Sequence, residues 1–399
     1  MAAKSQWPLK FEEVTKSSRI FSRFNGSCPN VVTFNKLWWI KNIFWPSYSI
    51  FCFYISTYTV IYFNFKNKSY ADAIRNGTMS IVGLTVSLKH LLLLRHRGSI
   101  KEIIDIMERD YEAAKDFSDN EKKTVIKYAQ LGTGICKFWV VVAIITSMLF
   151  PVKAIVLMAY YLFKGEFQLV PLMDLSYPFI DEYKNIPIMF CILFFSCFCF
   201  AMYAATMYIA FDPLVPVIIA HICGQMELIS NRLLNIFSAA KNMEDIHQNL
   251  KEINMKLMEI YSIIETLQKN FVVLYEFVMK TTTFLISFSA FQIVEGAKHN
   301  GVSVEFVSFF FGAILHFYSP CYFSNLLMDK SEGLRQAIYS CGWEMIPNTR
   351  IRKTILLMLT RTTKSLVIRT VFVPICLDTF AEMARQAYGI YNLMNAAWG

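Results

Sequence analysis

Residues 187–209 read PIMFCILFFSCFCFAMYAATMYI, with no charged side chain between Pro187 and Ile209. A helix that crosses a bilayer needs roughly 20 mostly apolar residues, because the hydrocarbon core is about 30 Å thick and every backbone polar group inside it must be bonded internally. This stretch meets both conditions. The fold follows from asking how many others do.

Apolar windows flank it on both sides, at 47–65, 79–94, 132–150, 271–293, 302–327 and 371–394. With 187–209 they predict seven transmembrane helices in an all-α polytopic membrane protein. Whole-chain composition agrees: of 399 residues, 55% are hydrophobic and only 17% charged, where a soluble domain carries roughly 25% charged. Gly and Pro number 15 and 12, so the apolar mass lies in long uninterrupted segments, which favours helices over a barrel. The 79–94 window is the weakest, since Lys89 and His90 interrupt it; Lys89 is expected to snorkel to the headgroups. The apolar stretch 154–163 either extends the third helix or lies in the interface.

Lys and Arg set the orientation, because cytoplasmic loops retain them. With the amino terminus inside, the inner segments hold Lys4, Lys10, Lys16, Arg19, Arg23, Lys36 and Lys41, a cluster from Arg95 to Lys127, five cations from Arg232 to Lys269 and eight from Lys330 to Arg369. The outer loops hold Lys66, Lys68, Arg75, Lys153, Lys164, Lys184 and Lys298. The amino terminus is therefore expected to be cytoplasmic and the carboxyl terminus extracellular, the inverse of a G-protein-coupled receptor. Residues 1–45 contain no apolar stretch with a cleavage site, so no signal peptide is expected. Sequons at Asn67 and Asn76 both fall in the first outer loop, where glycosylation is possible; a third, at Asn25, falls inside.

These boundaries divide the chain into a cytoplasmic amino-terminal segment (1–46), helices one to four (47–219), a cytoplasmic helical region (220–270), helices five and six (271–327), a second cytoplasmic segment (328–370), and a last helix with a short extracellular tail (371–399). The mixed charge and helical period of residues 225–270 suit helices that project beyond the bilayer and pack together.

Enzyme chemistry has no footing. There is no phosphate-binding Gly-rich loop, no HExxH and no nucleophile elbow, and the six histidines are scattered. The ten cysteines show no CxxC spacing and avoid the outer loops, so neither zinc nor a disulfide framework is expected. No cofactor is expected. The net charge of +9 sits in membrane-flanking loops and calls for no nucleic acid.

Two patterns carry functional information. In the last helix Asp378, Glu382, Arg385, Tyr388, Asn392 and Asn395 recur at spacings of three or four and share a face. Inside a membrane such a stripe needs either a water-filled path or a buried polar seam, and periodicity leaves the two open. The upper halves of several helices are rich in Phe, with Thr146, Ser147, Ser196, Thr282 and Ser287 among them, which suits a dry pocket for a small apolar ligand. Depth and chemistry single out Met79, Ser147, Phe150, Phe190, Phe194 and Phe288 as ligand-binding candidates.

The stretch Pro320-Cys321-Tyr322-Phe323-Ser324-Asn325-Leu326-Leu327, followed by Leu334-Arg335-Gln336-Ala337-Ile338-Tyr339-Ser340-Cys341-Gly342-Trp343 and later Leu377-Asp378-Thr379-Phe380, resembles the carboxyl-terminal signature of insect odorant receptors. It departs at Ser324, where members often carry Gly, and at Ser365, where Pro is common. The resemblance implies a ligand-gated non-selective cation channel of four subunits, in which a tuning subunit joins a shared co-receptor in the plasma membrane of olfactory dendrites. It also implies a split last helix whose second half, here 377–394, lines the pore, with Tyr388, Asn392 and Asn395 facing permeant cations. The ligand would be a small volatile organic molecule. The co-receptor's long insertion between helices four and five is missing, which points to a tuning subunit. A gustatory-type receptor of the same superfamily and a secondary transporter using Glu382 and Arg385 are the alternatives.

Overall fold

The computed structural model describes residues 10–29, 35–166, 168–240, 242–299 and 303–398. The first nine residues of the amino-terminal segment and Val302, the start of the sixth window, lie outside the described residues. Helix follows helix: α1 (Phe11–Val14), α2 (Lys16–Asn25), α3 (Lys36–Tyr58) running into a π-helical turn (Thr59–Asn64), α4 (Tyr70–Arg95), α5 (Arg97–Ala113), α6 (Asp119–Phe163), α7 (Pro187–Phe211), α8 (Leu214–Leu234), α9 (Ile236–Ala239), α10 (Met243–His299), α11 (Val304–Tyr339), α12 (Thr349–Arg361) and α13 (Leu377–Trp398). No strand occurs among the described residues, and the isolated bridge between Arg369 and Pro374 lies in the link from α12 to α13. The all-α architecture is as the apolar windows require.

Among the described residues five helices are long and apolar enough to cross a membrane, with α7 and α8 counted as one. The first window falls short because α3 intersperses its aliphatic residues with Trp, Tyr, Ser, Lys and Pro46, and the last because α13 carries the polar stripe. Both are helical all the same.

The bundle has an upper end, which carries the 164–186 connection, and a lower end with α5, α9 and α12. The stretch 154–163 continues α6 without a break, so that α6 runs past Pro151. Pro151 has no N–H to give the Ser147 carbonyl four residues back, which leaves an acceptor free in the upper half of α6. At the lower end α8 and α10 extend well beyond the apolar windows and pack with α11 and α12. The last window shifts: its first residues, 371–376, are not helical. Pro374 and a pair of turns around Thr370 hold that link extended, and the helix begins at Leu377.

That link is bonded along its length. Ser331 Oγ accepts from the Leu366 amide at 3.0 Å, Ser324 Oγ from the Ile368 amide at 3.0 Å, and Gln268 exchanges two hydrogen bonds with the Arg369 backbone at 2.7 Å each. Ser324, the departure from the receptor signature, therefore supplies an acceptor that Gly would lack.

Lys89 does not snorkel. It is wholly buried within the bundle, because α7 and α11 bring Asp212 and His316 to its ammonium.

Candidate ligand cavity

A cavity of about 100 Å³ lies in the upper half of the bundle between α4, α6, α7, α10 and α11. Small side chains make the space: Ala143 on α6, Ala201, Ala204 and Ala205 on α7, Gly312 and Ala313 on α11. A Cβ at Gly312 would meet Thr146 Oγ1 at 3.5 Å, so the two helices close against each other where the cavity ends. Met79, Trp139, Ser147, Phe150, Phe200 and Phe309 supply the apolar wall.

The floor is of another kind. Tyr208 and His316 line it, and behind them sits Lys89, whose Nζ lies 2.5 Å from Asp212 Oδ1, 2.8 Å from His316 Nε2 and 4.1 Å from the centre of the Tyr208 ring. Because Lys89 donates to Nε2, the ring proton of His316 sits on Nδ1 and goes to Thr282 Oγ1 at 3.3 Å. One ammonium thus ties α4, α7 and α11 together, and α10 joins through Thr282. Asp212 Oδ2 and the Trp139 indole N–H find no hydrogen-bond partner among the described residues.

The roof is made by a loop. Residues 169–177 fold back over the cavity, with Leu175 and Ser176 buried. Thr59, the first residue of the π-helical turn, clamps the loop: its Oγ1 accepts from the Ser176 amide at 3.0 Å, and its one proton is shared between the Ile55 carbonyl at 2.9 Å and the Ser176 carbonyl at 3.2 Å. A π turn displaces a side chain from the α-helical register, which brings Thr59 to the loop. Ile55 and Cys197 pack on Leu175 from below, and Met173 reaches down to the cavity wall.

Above the loop and α6 a second chamber of about 430 Å³ opens. Its walls include Leu157, Phe190, Leu193 and Phe194; its rim carries Arg75, Lys153, Asp174, Lys184 and Glu305. Lys153 and the buried Glu305 form an ion pair between α6 and α11, beside the edge-to-face pair of Phe150 and Phe306 at 5.9 Å.

The candidate residues read from the sequence therefore divide. Met79, Ser147 and Phe150 line the inner cavity, and Phe190 and Phe194 line the outer chamber together with Phe150. Phe288 lines neither; it packs with Ile74, Phe291 and Met394 at the seam of α4, α10 and α13. Sequence reasoning passed over Tyr208, His316 and Met173. For the first two a signal existed, because Lys89, Asp212 and His316 are ionisable groups inside or at the end of apolar windows, where such groups need partners.

On α13, Asp378, Glu382, Arg385, Tyr388 and Asn392 are exposed and Asn395 is half-buried, while Met383, Ala387 and Met394 are buried on the opposite side. Glu382 and Arg385 pair at 3.1 Å on the exposed face. The stripe is not a seam within this bundle.

The two sequons of the 66–78 region differ as well. Asn67 is exposed in the turn after the π helix. Asn76 is buried on α4, and both hydrogens of its amide are donated, to Asn64 Oδ1 and the Asp174 carbonyl at 3.1 Å each. In the folded chain the nitrogen that would carry a glycan is thus committed to two acceptors, unlike that of Asn67.

Residues 69–388 match the model of the 7tm Odorant receptor family. Among individual proteins of Drosophila melanogaster, odorant receptor 2a is 25% identical over 156 residues, 38% of each chain, and putative odorant receptor 85d is 26% identical over 192 residues, 46% of this chain and 44% of that one. The matched part spans less than half the length of these relatives. Among solved structures, the insect olfactory receptor OR5 from Machilis hrabei in complex with eugenol superposes with a TM-score of 0.77 over 97% of this chain and 98% of that one at 14% identity, and the same receptor in a second structure gives 0.78 at 13%. With the family match covering well over half of its length, this helical, multi-pass membrane chain belongs to the insect odorant receptors and not to any enzyme class.

Proposed function

We propose that the chain is an odour-tuning subunit of a ligand-gated, non-selective cation channel. The inner cavity holds a small hydrophobic volatile, and the exposed stripe of α13 lines the pore with neighbouring subunits, among them a co-receptor. The observation that carries this reading is the pairing of an apolar cavity in the upper bundle with a last helix whose polar face, among the described residues, is left exposed rather than packed against another helix. An exposed polar face costs several kcal/mol in lipid, a cost that a water-filled pore removes. The Machilis receptor, whose fold this chain shares, was solved in complex with eugenol.

In this reading the upper end is extracellular and the amino terminus cytoplasmic, in accord with the charge bias, and the plasma membrane of olfactory dendrites is the working location. The lower parts of α8, α10, α11 and α12 form the cytoplasmic anchor. Ligand opens the pore only to the extent that it binds the open state more tightly. The test is current in voltage-clamped cells that express the chain with and without a co-receptor during application of volatile odorants. Odorant-evoked cation current that needs the co-receptor is expected; correctly delivered protein that gives none to a broad panel would sink the reading.

A further inference from the structure

The inner cavity lies beneath the roof loop, with the second chamber on the loop's other side, and the two share part of their walls. Phe150, in the upper half of α6, and Met173, on the roof loop, line both. Everything else about the chambers differs. The outer one is the larger, about 430 Å³ against 100 Å³, and its charged rim keeps it wet; the inner wall is apolar above its floor.

Resting on the reading of the inner cavity as the ligand site, we propose that the outer chamber is the ligand's entrance. A neutral, mostly apolar molecule first lodges against Leu157, Leu193 and Phe194 and then sheds its water as it passes between Phe150 and Met173. The chemical class follows from the two environments in series. An apolar body finds a wall in both chambers, whereas an ion is held at the charged rim by Arg75, Lys153, Lys184 or Glu305 and loses too much solvation to enter the inner cavity.

The two gate residues are suited to moving. Met has three rotatable bonds and adapts to what passes it. Phe150 is held on one side by its contact with Phe306, and Met173 hangs from a loop whose anchors, Ser176 and Asp174, lie a few residues further along. Rotation of the Met173 side chain opens the shared wall without breaking those anchors.

A gate changes the rates of entry and exit together, so access is best measured directly. The thiol introduced by Ser147→Cys stands on the inner wall, and methyl methanethiosulfonate, small and neutral, transfers its methylthio group to the thiolate and releases methanesulfinate. The rate of that transfer is read by mass spectrometry on the full chain in membranes, with native Cys191, exposed on the outer side of α7, as the internal standard. Adding Leu193→Trp, which fills the outer chamber only, is expected to slow labelling at position 147 at least about threefold, and adding Met173→Ala to quicken it, with Cys191 unchanged in both. Equal rates in all three proteins would show that small molecules reach the cavity by another route, such as from the bilayer, and would overturn the proposal. A change that Cys191 shares in equal measure would overturn it too. The readout needs neither current nor a known agonist, so a chain that conducts nothing would refute the proposed function without deciding this experiment.

Discussion

Lys89 shows how much one side chain can hold in place inside a membrane bundle. Its ammonium is the only cation near Asp212 among the described residues, and Asp212 in turn is nearly as deeply buried. Truncating one partner of a buried pair leaves the other charge uncompensated, whereas removing both does not. Lys89→Met is therefore expected to cost about 3–5 kcal/mol, seen as a large drop in the melting temperature of the detergent-solubilised chain, and Lys89→Met with Asp212→Leu to recover most of it. Equal losses in the single and double variants would contradict the account. At Asn67 and Asn76 the prediction concerns modification rather than stability. Asn67→Gln should remove the glycan of this region and shift mobility on a gel, and Asn76→Gln should leave the glycan in place. The sequence made Lys89, Asp212 and His316 visible as oddities but gave no means of pairing them, since the pairs span 123 and 227 residues.

Among the elements, the roof loop and its π turn were the least legible. The helices could be read from apolar length because a span must satisfy its own backbone. A loop that folds back into a bundle depends on bonds to other elements, here Thr59 to Ser176 and Asn76 to Asp174. Thr59→Val removes two of these bonds and leaves the Ser176 amide without its acceptor; hydrogen exchange at that amide should quicken by the equivalent of about 1–3 kcal/mol while α7 keeps its protection. A second junction joins α5, α8 and α10. There Asp110 accepts from His221 Nε2 at 2.9 Å and pairs with Lys256. Burial by itself raises the Asp110 carboxyl, but the hydrogen bond and charge of His221, with those of Lys256, outweigh it and hold the carboxyl below its ordinary value. A depressed folded value means that the stabilisation is present above the unfolded carboxylate pKa of about 3.9 and is lost as pH falls below it. Melting temperature should thus show no loss from this junction between pH 7 and 5, and Asp110→Asn should lower stability at pH 7 by about 1.5–3 kcal/mol. The small residues that create the cavity were also hard to read: Ala204 or Gly312 looks like any tightly packed helix position until the facing helix is known. The Phe-rich pattern included Phe150, which lines both cavities, but gave no angular position for Phe288, which packs at a helix seam.

At the scale of the whole molecule, the proposed division of labour makes the cavity and the stripe separable. Asn392→Ala should change ion selectivity or conductance for every agonist, and Phe150→Ala should reorder agonists while selectivity stays as it was; both are read from odorant-evoked currents, and the opposite pattern would reverse the assignments. The charge bias behind the proposed orientation was legible because it is a sum over many residues. Which face of α13 is left uncovered was not, because that depends on how α10 and α11 pack against it, with Ser287 Oγ on the Ala387 carbonyl at 2.8 Å as one fixed point.

The cluster around Lys89 bears on how such a chain is made. Helices enter the membrane in the order of synthesis, and α4 is complete more than a hundred residues before Asp212 emerges and more than two hundred before His316. A lone lysine at depth costs about 2.5–3.5 kcal/mol on translocon insertion scales. During synthesis α4 therefore carries a cation without its carboxylate until Asp212, at the end of α7, arrives. Chains truncated between α6 and α7 should be retained and degraded, and the ion cluster would then serve as the cell's record that the bundle has closed.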